Sequence, residues 1–85
     1  MNPQLCDHVS LVHTEYGSVL LDEKSGMYFQ LNETATIVAE GLADRSSLES
    51  IAQRIAQEYD VDEGQAREDV AVLVRTLRDR NLVQS

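Results

Sequence analysis

Long apolar runs are missing from this sequence. No stretch approaches the ~20 residues that cross a bilayer, which argues against a membrane span. The first residues, MNPQLCDHVS, lack the basic start and apolar stretch of a secretory signal, so none is expected. A single cysteine, Cys6, allows no internal disulfide and fits a reducing, cytoplasmic setting. Basic residues are scarce: 7 Lys and Arg stand against 15 Asp and Glu, for a formal net charge of −8. A surface that negative repels phosphate backbones, so nucleic acid is not the expected ligand. What remains, 42% hydrophobic and 26% charged residues in a chain of 85, is the balance of one small globular domain over residues 1–85. Residues 1–7 are expected to be flexible. A domain of this size buries only roughly 60–65% of its unfolded surface, so its apolar residues are committed to one core. A shallow groove or a sheet edge is easier to accommodate than a deep pocket.

The chain reads in two halves. Val9, Leu11 and His13 alternate with Ser10, Val12 and Thr14, the period-two pattern of a strand. Glu15-Tyr16-Gly17-Ser18 supplies a turn, and Ser18-Val19-Leu20-Leu21 a second strand. After the polar turn Asp22-Glu23-Lys24-Ser25-Gly26 comes a third strand, residues 27–31. It places Met27, Phe29 and Leu31 on one face and Tyr28 and Gln30 on the other. Short polar turns imply an antiparallel meander. From residue 32 the pattern is helical. Asn32 is an N-cap, and Gly41 weakens the end of the first helix. Ser46-Ser47-Leu48-Glu49 reads as a capping box for a second helix, whose apolar stripe is Leu48, Ile51, Ala52, Ile55, Ala56 and Tyr59. Asp62-Glu63-Gly64-Gln65 opens a third, with Ala66, Val70, Leu73, Val74 and Leu77 as its buried stripe. Asn81 ends it, and Leu82-Val83 folds back. The fold class is therefore α+β. A three-stranded antiparallel sheet is followed by three helices (β-β-β-α-α-α), the last two paired as in a winged helix-turn-helix.

Catalytic chemistry finds little support, and no enzyme activity or cofactor is expected. Cys6, His8 and His13 match no zinc spacing, and no metal site is expected. Cys6 has no ordered base beside it to make a nucleophile. Asp22, Glu23, Asp60, Asp62 and Glu63 do not follow a calcium-loop pattern and sit where carboxylates cap turns and helices. The third helix carries Arg67, Arg75, Arg78 and Arg80, but also Glu63, Glu68, Asp69 and Asp79, which would face phosphates at close range.

The third strand is the telling feature. It is apolar, uncharged and free of proline, and in a meander it is an edge. Such edges are usually defended by lysine, proline or a bulge. One reading is that the third helix hides it. The other is that a guest peptide adds to it as a further strand.

Residues 22–33, DEKSGMYFQLNE, resemble the D-x-x-x-G-x-Y/F-x-x-L-N segment of PqqD-like proteins. Tyr59-Asp60-Val61, Glu68-Asp69-Val70, Leu73, Leu77 and the closing Asn81-Leu82-Val83 fit the same family in order. The usual closing Gly-Leu stands here as Asn81-Leu82, and Val38 and Ala39 replace an aromatic residue common near the end of the first helix. The resemblance implies a RiPP recognition element, closest to the stand-alone leader-binding proteins of lasso-peptide biosynthesis. It implies a precursor leader of the type Tyr-x-x-Pro-x-Leu lying antiparallel along the third strand. It also implies presentation to a cysteine-protease-like leader peptidase, with a macrolactam synthetase in the same pathway. On that footing Met27, Tyr28, Phe29 and Gln30 supply the receiving backbone, beside Leu31. Met27 and Phe29 also supply groove wall; Val70, Leu73 and Leu77 are its floor, and Asp69, Val72 and Thr76 one flank. Asp69 pairs with a basic leader residue or stays a surface acid near Arg80. Two other functions stay open: a PqqD-type peptide chaperone for a radical SAM enzyme, and a helix-turn-helix regulator.

Overall fold

The computed structural model describes residues 2–84. The elements are β1 (Gln4–Leu5), β2 (Val9–Thr14), β3 (Gly17–Asp22), β4 (Tyr28–Leu31), α1 (Glu33–Ala43), α2 (Leu48–Tyr59), α3 (Glu63–Asp79) and β5 (Val83–Gln84). The strands β2-β3-β4 form the expected antiparallel meander, and three helices follow. Among the described residues, no helix is long and apolar enough to cross a membrane.

One face of the sheet meets the helices. The register aligns Leu11, Leu20 and Phe29 across the three strands on that face. Leu20 is fully buried, and Leu11 and Phe29 pack against the core beside it. The hairpin β2–β3 turns at Glu15-Tyr16, with Thr14 opposite Gly17. A Cβ on Gly17 would lie 2.2 Å from the Leu31 carbonyl oxygen, so only glycine lets the second strand pass this close to the end of β4. Next to it, the buried Ser18 hydroxyl bonds Thr36 Oγ1 at 2.7 Å, and Thr36 Oγ1 donates to Asn32 O at 2.8 Å. These two bonds satisfy the one polar layer between sheet and α1.

Each helix begins on a side-chain oxygen. Asn32 accepts from Ala35 N, and Asp62 from Gln65 N, both as expected. The box at α2 is shifted by one residue. Ser47, not Ser46, is the N-cap and accepts from Ser50 N, so Glu49 falls outside a capping box and serves only as a first-turn acid. Two adjacent serines made the position ambiguous. Gly41 lies in the last turn of α1, near its end. A Cβ there would come within 2.4 Å of Ile51, so Gly41 lets α1 and α2 approach closely. The α2–α3 turn places Asp60 in the left-handed region (φ 52°), and Val61 N closes back on Ala56 O. The buried stripe of α3 is Ala66, Val70, Val74 and Leu77, with Leu73 half-buried at its margin.

The two chain ends meet. Asn81 at φ 61° ends α3 with Leu82 N bonding Leu77 O, a Schellman-type closure that turns Leu82 and Val83 into the core. Val83 pairs with Leu5 and Gln84 with Gln4, while Cys6 N donates to Leu82 O. The amino-terminal segment, expected to be loose, is thus tied down from residue 4 by a pairing partner almost the whole chain away. Met1, which the same expectation covered, lies outside the described residues.

Candidate functional site

The edge of β4 is open, and the ladder tells which of its groups face outward. Asp22 N donates to Met27 O at 2.8 Å, which makes Asp22 and Met27 a hydrogen-bonded pair. Such pairs alternate along an antiparallel ladder. With Leu20 opposite Phe29 and Ser18 opposite Leu31, the N–H and C=O groups of Phe29 and Leu31 point into β3. Those of Tyr28 and Gln30 point away from it. On the other side of β3, Glu23 N donates to His8 O, and the same alternation assigns the odd residues of β3 to β2 and the even ones to β4. The receiving backbone expected over residues 27–30 therefore narrows to Tyr28 and Gln30, which together present two donors and two acceptors. Their side chains lie on the sheet face away from the helices, and Tyr28 is 69% exposed.

Between β4 and α3 the surface is concave. Shared hollows order the helix against the strand: Arg80, at its carboxyl end, lies with Tyr28, and Asp69, Val70 and Leu73, from its earlier turns, lie with Asn32, so the helix runs antiparallel to the strand. Two hollows mark these ends. The first, about 280 Å³, is walled by Leu20, Met27, Tyr28, Phe29, Arg80 and Leu82, with Asp22 and Ser25 at its rim. The second, about 160 Å³, is formed by Asn32, Thr34, Ala35, Val38, Ile55, Asp69, Val70 and Leu73. On α3 the residues Asp69, Leu73, Thr76 and Arg80 fall within roughly 60° of one another at 100° per residue, and three of them, Asp69, Leu73 and Arg80, line the two hollows. Val74, on the opposite flank, is buried.

The other expected residues sort by depth. Leu31, Val70 and Leu77 are core residues at 6%, 1% and 0% exposure, although Val70 still reaches the second hollow. Met27 and Phe29 line the first hollow. Thr76 is half-buried and its hydroxyl donates to Val72 O at 3.1 Å. Val72, 54% exposed, stands outside both hollows on the rim of the same flank. Asp69 accepts from Gln65 Nε2 at 2.9 Å and lies at the far end of the groove from Arg80, so the two do not pair.

Sequence reading also did not assign Leu20, Leu82 or Arg80 to the first hollow, and of these Arg80 brings a charge. Its guanidinium sits 5.0 Å from the centroid of the Phe29 ring. The signal was present in the spacing, since Arg80 follows Leu73 by two helical turns. Asp22, at the rim of the same hollow, accepts the Lys24 and Ser25 amides, and the Lys24 bond above all holds its carboxyl below the usual range.

Other reactive side chains stand apart. His8 Nε2 lies 3.1 Å from Asn81 O, and His13 Nε2 lies 2.9 Å from Glu40 Oε2. Burial pushes the Cys6 thiol above its ordinary range, which disfavours the thiolate. Among the described residues, no group of three His, Cys, Asp or Glu side chains gathers to hold a metal.

The model of the family described as coenzyme PQQ synthesis protein D (PqqD) matches residues 17–83 of this chain. The chain belongs to the PqqD family. Three solved structures share this PqqD-like fold. A structure described as lasso peptide synthetase B1 complexed with the leader peptide is 36% identical, with a TM-score of 0.89 over 100% of both chains. TbiB1 in complex with the TbiA(beta) leader peptide is 27% identical, with a TM-score of 0.88 over 96% of this chain and 95% of that one. The PqqD truncation of Methylobacterium extorquens PqqCD, described as a functional stand-alone RiPP recognition element, is 26% identical. Its TM-score is 0.78 over 98% of this chain and 88% of that one. No curated protein matches.

Proposed function

We propose that this PqqD-family chain is a leader-binding protein that takes the leader of a ribosomally made precursor peptide as a strand on the free edge of β4. The observation that carries the reading is the outward set of main-chain groups on Tyr28 and Gln30, directly above an apolar groove with a hollow at each end. Each main-chain bond contributes only about 0.5–1.5 kcal/mol net and is blind to sequence. Specificity then falls to the hollows, where an aromatic and an aliphatic anchor each stabilise by about 1.5–3 kcal/mol when buried. After ordering costs, the sum supports micromolar to nanomolar binding. In this reading the chain holds the guest and processing falls to separate enzymes. A cysteine-protease-like leader peptidase and a macrolactam synthetase are the partners that a lasso pathway supplies.

Similarity over the full length to a leader-bound lasso synthetase B1 favours the lasso assignment. Service to a radical SAM enzyme, as a PqqD-type chaperone, is the second reading, favoured by the family match itself. Titrating a fluorescein-labelled Tyr-x-x-Pro-x-Leu leader against the protein tests the main proposal by polarisation, with amide chemical shifts read alongside. Saturable binding with shifts centred on residues 28–31 and the 69–80 flank is expected. Absence of binding, or shifts confined to the opposite side, overturns it.

A further inference from the structure

We propose that the groove is electrically polarised, so that Arg80 receives a carboxylate following the guest's apolar anchors and Asp69 a basic side chain preceding them. This rests on the leader-binding reading and adds a charge order to it.

The two charges stand at opposite ends of the same flank. Arg80 walls the hollow beside Met27 and Phe29, and Asp69 the hollow beside Asn32. From Asp69 to Arg80 at ~1.5 Å per residue is about 16 Å along the helix. An extended guest, rising ~3.3 Å per residue, covers that distance in about five residues, the span from the first to the last residue of a six-residue core, and a charge just beyond either end, about 3 Å further, reaches back through its side chain. One short segment therefore reaches both.

Both charges are available. Arg54 is engaged by Glu40 and Glu58, and Arg67 by Glu63. Among the described residues Arg80 has no ion-pair partner and rests on the face of Phe29. Lys24 and Arg78 at that end of the molecule are matched by their neighbours Glu23 and Asp79, which leaves Arg80 as the cation that walls the hollow. Asp22 shares the hollow, but its Oδ1 is turned to the Lys24 and Ser25 amides. Asp69 bonds Gln65 through Oδ1 alone and is exposed.

Strand direction converts this polarity into a sequence preference. The sheet is antiparallel throughout. An antiparallel guest exchanges both bonds with each outward residue, the slightly stronger arrangement per residue. It runs parallel to α3, with its amino-terminal side at Asp69 and its carboxyl-terminal side at Arg80. A guest with the reverse charge order meets a like charge at each end.

The test uses three fluorescein-labelled leaders with one Tyr-x-x-Pro-x-Leu core: Lys before and Glu after it, the two exchanged, and serine at both places. At low salt the Lys-first peptide is expected to bind about 5- to 10-fold tighter than its exchanged partner, with serine between them. In 0.5 M NaCl the gap should shrink to less than about 2-fold. The double variant Asp69→Lys, Arg80→Glu should invert the order. Equal affinities at low salt, or a gap that salt does not reduce, overturn the polarity while leaving the groove intact. Failure of all three peptides to bind overturns the groove as well. Should circular dichroism show the double variant unfolded, the salt series on the unaltered protein decides.

Discussion

Leu73 shows how much a single side chain on α3 is asked to do. It is half-buried at the margin of the core stripe and forms one wall of the hollow that also holds Asp69 and Val70. Leu73→Glu puts a charge where an aliphatic anchor would sit, and leader affinity should fall at least about 30-fold while circular dichroism stays native. Retained affinity by polarisation would remove that hollow from the site. Asp22 makes a prediction of a different kind. Its carboxyl is held below its ordinary value of 3.8 by amide hydrogen bonds. A depressed folded-state value means stability that is present above pH 3.8 and is lost as pH falls through the folded value. Asp22→Asn keeps an acceptor but no charge, so its deficit in urea midpoint should be visible at pH 7 and shrink below pH 3.8. A deficit that is constant with pH would contradict this. At this scale the sequence was partly legible. Met27, Phe29 and Leu73 alternate or recur at the spacings that line a groove. Arg80 was not read that way because an arginine near a helix end looks like a solvent-facing charge until Phe29 is seen beneath it.

The elements were legible where one period dominates. The stripes of α2 and α3 and the alternation in β2 identify their types directly, since each has a single apolar face to bury. Boundaries were less so: Ser46 and Ser47 are equally good caps, and only the Ser50 amide chooses between them. Gly41 reads in the sequence as a weak point near the end of α1 because glycine is a poor helix former, and the contact that requires it belongs to another helix. Gly41→Ala should therefore lower stability by about 1–2 kcal/mol in urea unfolding, with overpacking against Ile51 outweighing the gain in helix propensity. A stabilised variant would mean that Ile51 yields without strain. For β4 the ladder gives a sharper test. Proline at either position 28 or 30 removes an outward N–H and leaves the bonds to β3 in place. Either variant should weaken leader binding at least about 10-fold with little change in unfolding midpoint. Unaltered binding would move the guest off this edge.

At the scale of the whole molecule the architecture was read correctly, and its closure in part: Leu82-Val83 folds back and is buried as expected, whereas the strand it pairs with was not foreseen. No local pattern announces that Leu5 and Val83 pair, because the two strands are two residues long and the signal lies entirely in tertiary contact. Leu5→Asp should release this clip and speed hydrogen exchange at the Cys6 amide, which the Leu82 carbonyl otherwise protects. Unchanged exchange would show that the pairing contributes nothing to order at the chain ends.

The narrowness of the β4 edge has a kinetic meaning. Two residues of outward main chain give a visiting strand few bonds to break before it peels free. With association at ~10⁶ M⁻¹s⁻¹ and micromolar affinity, residence is on the order of a second. If the proposed role holds, a carrier with that turnover need not be made in proportion to its cargo, since one copy could take many precursors in succession.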